Sequence, residues 1–202
     1  MSSIVLALIS AIALASLGDL RQNVFPTITI LLAWGGLVWV LPRPKLGVEW
    51  LVAVALLVRL ILVASPVGLS DDVYRYLWEG YAAWAGENPY LHPPSAPYWE
   101  RLGEDALRKS VAHGQVSAIY PPLAIWFFGL LSQISTEPWI VKLAMGLADV
   151  GVVWMLAIIL HGRRRHLGPA WLYALHPLGA VESAGSGHME SLALLCVLAT
   201  IR

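Results

Sequence analysis

Charge is scarce in this sequence. Only 13% of its 202 residues are Asp, Glu, Lys or Arg, about half the share of an ordinary soluble domain. The 13 basic and 13 acidic residues cancel, so no basic surplus neutralises phosphates, which argues against nucleic-acid binding. Cysteine is almost absent. The single Cys196 lies in an apolar run, which excludes a disulfide framework and a cysteine-based metal knuckle. Repeats and low-complexity stretches are also missing. What is present is apolar: 58% hydrophobic residues and a mean hydropathy of +0.67. Of the ten tryptophans, many sit near the ends of apolar runs, as interfacial anchors do. The class expected is a multi-pass membrane protein.

Apolar runs at 3–17, 24–42, 48–66, 138–160, 168–182 and 189–201 are the spanning candidates, set against the ~20 residues a crossing helix needs. Pro26, Pro42, Pro66, Pro138 and Pro177 mark helix starts, ends or kinks. The first run ends in Ala13-Leu14-Ala15, as a cleaved signal peptide can, but Met1-Ser2-Ser3 lacks a basic n-region. The sequence stops at Ala199-Thr200-Ile201-Arg202, inside an apolar helical pattern, so a fragment of a longer protein is expected. Arg43 and Lys45 follow run two, and Arg163-Arg164-Arg165 follow run four. The positive-inside rule makes both clusters cytoplasmic. A cytoplasmic N-terminus then places 67–137 outside and brings Gly185-Ser186-Gly187-His188 to the outer face. Residues 121–134 threaten this count, but a run of ~14 residues suits a helix lying at the membrane surface better than a span.

The expected fold is therefore all-α: a polytopic transmembrane helix bundle with membrane-parallel helices in a large external loop. Residues 1–66 supply three transmembrane helices, 67–137 the loop, and 138–202 three further spans with the last incomplete. Within the loop, 71–86 reads as a helix capped by Ser70, with Asp71 and Asp72 in its first turn. Tyr74, Leu77, Trp78, Tyr81 and Trp84 give it a broad aromatic face suited to the interface. Gly86-Glu87-Asn88-Pro89-Tyr90 ends it, Pro93, Pro94 and Pro97 hold an extended stretch, and 99–112 reads as a short helix.

Three places carry chemistry. In Asp71-Asp72-Val73-Tyr74-Arg75 the acids can serve as a general base or as a divalent-cation site, and Arg75 can hold a phosphate through a bidentate contact. The same spacing also fits a plain helix cap with an ion pair, and both readings stand. It is not a DDxxD motif, because the fifth position is Arg75. Tyr120 before Pro121-Pro122 can aim a hydroxyl at a head group or simply mark a helix start. Gly185-Ser186-Gly187-His188-Met189-Glu190 places two titratable groups beside a flexible backbone, with Glu182 nearby; a polar turn capping the next helix is the alternative. Arg59 is expected to snorkel outward, with contact to a lipid phosphate as the alternative. Lys142 and Asp149, on one helix, are read as internal polar glue. His92 and His113 lie in the loop, where a lone histidine is usually a surface residue.

The strings SDDVYRYLWEGYAAWAGENPYLHPP, AIYPPLA and LHPL followed by ESAGSGHMESLAL occur in this order over about residues 60–198. In this they resemble the polyprenol-phosphate-dependent mannosyltransferases of the GT-C superfamily. The resemblance implies transfer of a hexose, mannose first, from a polyprenyl-phosphate donor to a glycan or glycolipid at the extracytoplasmic face of the plasma membrane, with inversion. It implies that Asp72, or else Asp71, is the base activating the acceptor hydroxyl. Arg75, Tyr74, Tyr120, His188, Glu190, Glu182 and His92 are the candidate substrate contacts. No cofactor is required; a divalent cation at Asp71 and Asp72 is an option. Two departures stand out: the acidic loop follows the third helix rather than the first, and the family's C-terminal helices, which enclose the donor, are absent from this sequence. The competing readings are a non-catalytic binder or transporter of lipid-linked sugars, and an inactive fragment. A transporter would need inverted repeats with broken helices.

Overall fold

The computed structural model describes residues 1–201 and is helical, with no strand among the described residues. Its helices are α1 (Ser2–Ser16), α2 (Val24–Val40), α3 (Val48–Val63), α4 (Asp72–Trp84), α5 (Asp105–Lys109), α6 (Pro122–Ser132), α7 (Trp139–Gly162), α8 (Gly168–Leu175), α9 (Pro177–Ala180) and α10 (Glu190–Ile201). A 3₁₀ helix at Pro97–Leu102 precedes α5, and a π-turn at Val181–Gly185 follows α9. Among the described residues only α7, at 24 residues, is long and apolar enough by itself to cross a membrane. The first three helices have 15, 17 and 16 residues, short of the ~20 expected for a span. The expected run 168–182 is broken at His176-Pro177, and the segment Pro177–Gly185 meets α10 at 116°.

The chain divides into two compact units: Met1–Leu69 with the residues from Lys142 on, and Ser70–Val141. The first is built on apolar helix faces. Its core includes Ala7, Ala11, Trp34, Leu51, Ala55, Val58, Val153, Trp171 and Ala174, all fully buried. The helices alternate in direction, and the polar contacts show where their ends meet. Ser3 Oγ at the start of α1 donates to Pro42 O, and Arg43, Lys45 and Leu46 share one cavity with His166 and Gly168. At the other end of α3, Lys142 Nζ donates to the carbonyls of Ser65 and Pro66, and Gly68 N–H donates to Gly185 O.

The break at Pro177 is compensated by neighbouring side chains. Proline has no N–H and pushes the preceding residue out of the helical region, and His176 is extended at ψ 132°. The carbonyls freed in α8 find donors elsewhere: Trp34 Nε1 donates to Leu175 O at 2.8 Å, and Arg59 Nη1 to Ala174 O at 2.6 Å. This is how an interrupted helix survives away from water, where unsatisfied backbone is costly. It also corrects the expectation that Arg59 snorkels. Arg59 is 1% exposed, and its guanidinium binds Asp149 Oδ2 through Nε at 2.9 Å and Nη2 at 2.6 Å.

In the second unit, α4 and α6 pack backbone to backbone. A Cβ on Gly80 would lie 2.9 Å from Phe128 O, and one on Gly129 2.9 Å from Gly80 O. Tyr76 stacks on Phe128 at 4.5 Å and 4°. The remainder of the unit wraps α4's other side, burying Leu77 and Trp78 with Trp99. That corrects the expectation of an interfacial aromatic face along the whole of α4: Leu77 and Trp78, two of the five residues of that stripe, are loop core. The helix expected over 99–112 is split, because Gly103 and Glu104 adopt φ of 72° and 54°. In an isolated helix Gly80→Ala stabilises by ~1 kcal/mol. Here we expect the opposite sign, a loss of about 1–3 kcal/mol from overpacking, seen as earlier thermal unfolding of the purified protein. An unchanged or higher midpoint would refute the close α4–α6 contact.

Candidate functional site

The acidic string begins the second unit. Asp71 is the N-cap of α4 and Asp72 its first residue. Ser70 acts one place earlier than a standard cap, its Oγ accepting the Asp72 N–H at 3.2 Å. Both aspartates and Tyr74 are half-buried, so they are neither sealed in the core nor spread on the surface. Tyr120 belongs to this neighbourhood: its ring packs edge-on against Tyr76 at 4.8 Å. Burial raises the Tyr120 phenol above its ordinary value, and the carboxylates of Asp72 and Glu79 push the same way, against the Tyr76 hydrogen bond and Arg75. Tyr120 therefore keeps its proton at neutral pH and remains a donor.

Of the two readings left open for Arg75, an ion pair or a phosphate contact, the structure shows an ion pair, made with Glu79 rather than with an aspartate. Arg75 is 4% exposed. Its Nη1 donates to Glu79 Oε1 at 2.8 Å and Val116 O at 3.1 Å, and its Nη2 to the carbonyls of Ala112 and His113, each at 2.8 Å. Such an arginine ties the irregular 112–116 segment to α4, and two of its nitrogens are already committed. Its partner Glu79 was not singled out in the sequence, although the i,i+4 spacing from Arg75 was the available signal. Burial raises the Glu79 carboxyl above its usual value against the pull of Arg75, and Oε2 has no hydrogen-bond partner among the described residues. His92 packs in an aromatic cluster, 4.3 Å from the Tyr98 ring and 6.1 Å from Trp99.

The remaining candidates gather in the first unit. The π-turn adds a residue to the helix, with Ser186 N–H bonding Val181 O five residues back at 2.9 Å and His188 N–H bonding Glu182 O at 2.9 Å. Gly187 then turns at φ 79°, a conformation that suits glycine. The result sets His188 Nδ1 2.6 Å from Glu182 Oε2. Glu182, His188 and Glu190 line a cavity of about 110 Å³ whose inner wall includes Asp149 and Tyr173. Asp149 is held by Arg59, and the Tyr173 hydroxyl donates to its Oδ1 at 2.5 Å. Sequence reading placed Arg59 and Asp149 in separate runs and offered no means of pairing them; Tyr173 went unnoticed. Ser186 was also missed as a fastener: its buried Oγ accepts the Leu69 N–H at 3.1 Å.

Among the described residues no group of three or more His, Cys, Asp or Glu side chains is placed to hold a metal ion. Chemically, the first unit offers carboxylates, a tyrosine and an imidazole suited to sugar hydroxyls, and the second offers half-buried acids beside a protonated phenol. No curated protein and no solved structure matches the chain. Residues 7–202 match the family described as alpha-(1->6)-mannopyranosyltransferase, N-terminal domain; the chain belongs to that family of mannosyltransferases.

Proposed function

We propose that the protein transfers a mannosyl group from a polyprenyl-phosphate donor to a glycan or glycolipid at the extracytoplasmic face of a membrane. The observation that carries the proposal is the half-buried acid pair at the head of α4, with the Asp72 charge felt at the Tyr120 phenol, in a chain of a mannosyltransferase family. Asp72 takes the proton of the acceptor hydroxyl as that oxygen attacks C1 of the mannose. The C1–O bond to phosphate breaks, and the polyprenyl phosphate leaves with the electron pair. A single displacement inverts C1, so an α-linked product requires a β-linked donor. In the second unit Tyr120 and Tyr74 are assigned to the sugar and its phosphate, and in the first unit Glu182, His188 and Glu190 form a separate cluster of substrate-binding candidates. Arg75 is assigned to positioning, since its donors hold the 112–116 carbonyls.

Membrane insertion supports a lipid-borne donor. In the first unit, the turns bearing Arg43 and Lys45 and the turn at His166 lie together, away from the Lys142–Ser65 and Gly68–Gly185 end. This sorting fits a multi-pass bundle with its basic end cytoplasmic and with α8, α9 and the π-turn forming one broken crossing. The decisive assay gives membranes containing the protein either radiolabelled β-linked polyprenyl-phosphate mannose or labelled GDP-mannose. Label is expected to reach an α-linked product from the lipid donor. Direct transfer from the nucleotide sugar, with no lipid-linked intermediate, would overturn the donor assignment.

A further inference from the structure

A groove of about 350 Å³ opens in the second unit between the C-terminal turn of α4, the 86–90 bend and the first turns of α6. Its size is at the low end of small-molecule sites, ~300–1,000 Å³. None of its residues belongs to the acid and tyrosine constellation described above. We propose that this groove is a carbohydrate subsite that holds the acceptor glycan. The proposal rests on the mannosyltransferase reading.

Its walls have the two properties a pyranose needs. A pyranose ring has an apolar face of C–H bonds and a rim of hydroxyls, so its binding sites pair an exposed aromatic plane with fixed polar groups. Trp84 and Trp126 supply the plane. They are 41% and 55% exposed, and their rings meet at 72° with centroids 5.9 Å apart, forming an aromatic corner rather than a closed stack. The polar rim is preorganised. Glu87 is fixed by Arg101 Nη2 at 2.9 Å and by the Tyr98 hydroxyl at 2.7 Å, and both oxygens keep lone pairs for sugar hydroxyls. Asn88 Oδ1 accepts the Tyr90 N–H at 3.0 Å, which leaves its amide hydrogens as donors. An anchored carboxylate and an amide thus stand beside the tryptophans, the polar partners that a ring of sugar hydroxyls requires.

The groove also connects to the acids. Tyr90 lines it, and the Tyr90 hydroxyl donates to Tyr120 O at 2.5 Å; Tyr120 is the residue whose phenol feels Asp72.

The test uses linear alpha-(1->6)-linked mannotriose as the probe and the protein in lipid nanodiscs. Wild type is expected to bind it, read by intrinsic tryptophan fluorescence or saturation-transfer NMR. Trp126→Ala should weaken binding about tenfold, equivalent to ~1.4 kcal/mol, while Trp126→Phe recovers much of it because a ring face remains. Asn88→Ala, a change on an exposed bend, should weaken binding by a smaller factor. In turnover, Trp126→Ala should raise KM for the mannotriose acceptor and leave KM for the lipid donor unchanged. Asp72→Asn should bind mannotriose as wild type does; if it also transfers as wild type does while Trp126→Ala still raises the acceptor KM, the base assignment fails and the groove stands. Absence of binding by wild type, or equal binding by Trp126→Ala, would overturn the proposal. So would an effect of Trp126→Ala confined to flotation with phosphatidylcholine/phosphatidylglycerol vesicles, since the ring would then be a membrane anchor.

Discussion

Asp72→Asn should lower the rate of mannosyl transfer by about 10²–10⁴-fold, the usual contribution of a general base, while donor binding is retained. Asparagine keeps the size and hydrogen-bonding reach of aspartate but cannot accept the acceptor's proton at neutral pH. The helix should survive the change, because Asp72 is the first residue of α4 and its backbone N–H is held by Ser70 Oγ. Asp71→Asn provides the control. Asp71 holds the N-cap position of α4 without a side-chain cap hydrogen bond, and asparagine suits that position as well as aspartate, so if Asp71 has no part in the chemistry this variant keeps the activity of wild type. Turnover of labelled lipid donor, with donor affinity measured on the same preparations, separates the two. A wild-type rate in Asp72→Asn combined with a large loss in Asp71→Asn would move the base to Asp71. Wild-type rates in both would remove the acid pair from the chemistry.

Breaking the Arg59–Asp149 pair should produce the largest loss of stability. Arg59→Met removes the partner of a carboxylate that is 1% exposed and strips the donor from Ala174 O, where the helix is already interrupted. Breaking a buried pair from one side costs about 3–5 kcal/mol, because the remaining charge has no compensation. The double variant Arg59→Met with Asp149→Leu removes that stranded charge and should recover a good part of the loss, although Ala174 O and the Tyr173 hydroxyl still lack their partners. Thermal unfolding of detergent-solubilised variants checks this. Equal midpoints for Arg59→Met and wild type would show that the pair does not hold the break at Pro177, and strictly additive losses in the double variant would show that the two groups are not coupled.

The readings that held were those resting on local information. Helical class followed from long apolar runs and from Pro and Gly as punctuation, and α4, α6 and α7 lie within a few residues of where composition and caps put them. The short run 121–134 likewise forms a short helix, α6, of 11 residues. The readings that failed each depended on a partner far along the chain. Arg59 looked like a snorkelling residue because its own helix holds no acid near it; Asp149 reaches it across 90 positions. Trp78 looked interfacial because α4 alone cannot reveal that Trp99 covers it. For Arg75, where an ion pair and a phosphate contact were both open, the carbonyl partners at 112, 113 and 116 carry no sequence signature.

The acid pair shows the same division. Its place at the start of a helix was decided by the sequence alone, since an N-cap preference and a first-turn acid are properties of a few consecutive residues. The ordered strings likewise sufficed to indicate a mannosyltransferase, and the family match bears that out. Only the tertiary structure set Tyr120 beside Asp72, closed Glu182 onto His188 through a π-turn, and turned Trp84 and Trp126 into a corner. The reason is geometric. Periodicity and capping act over a turn or two of backbone, whereas which buried group meets which depends on how whole helices rotate against one another, and that is settled by the packing of every face at once.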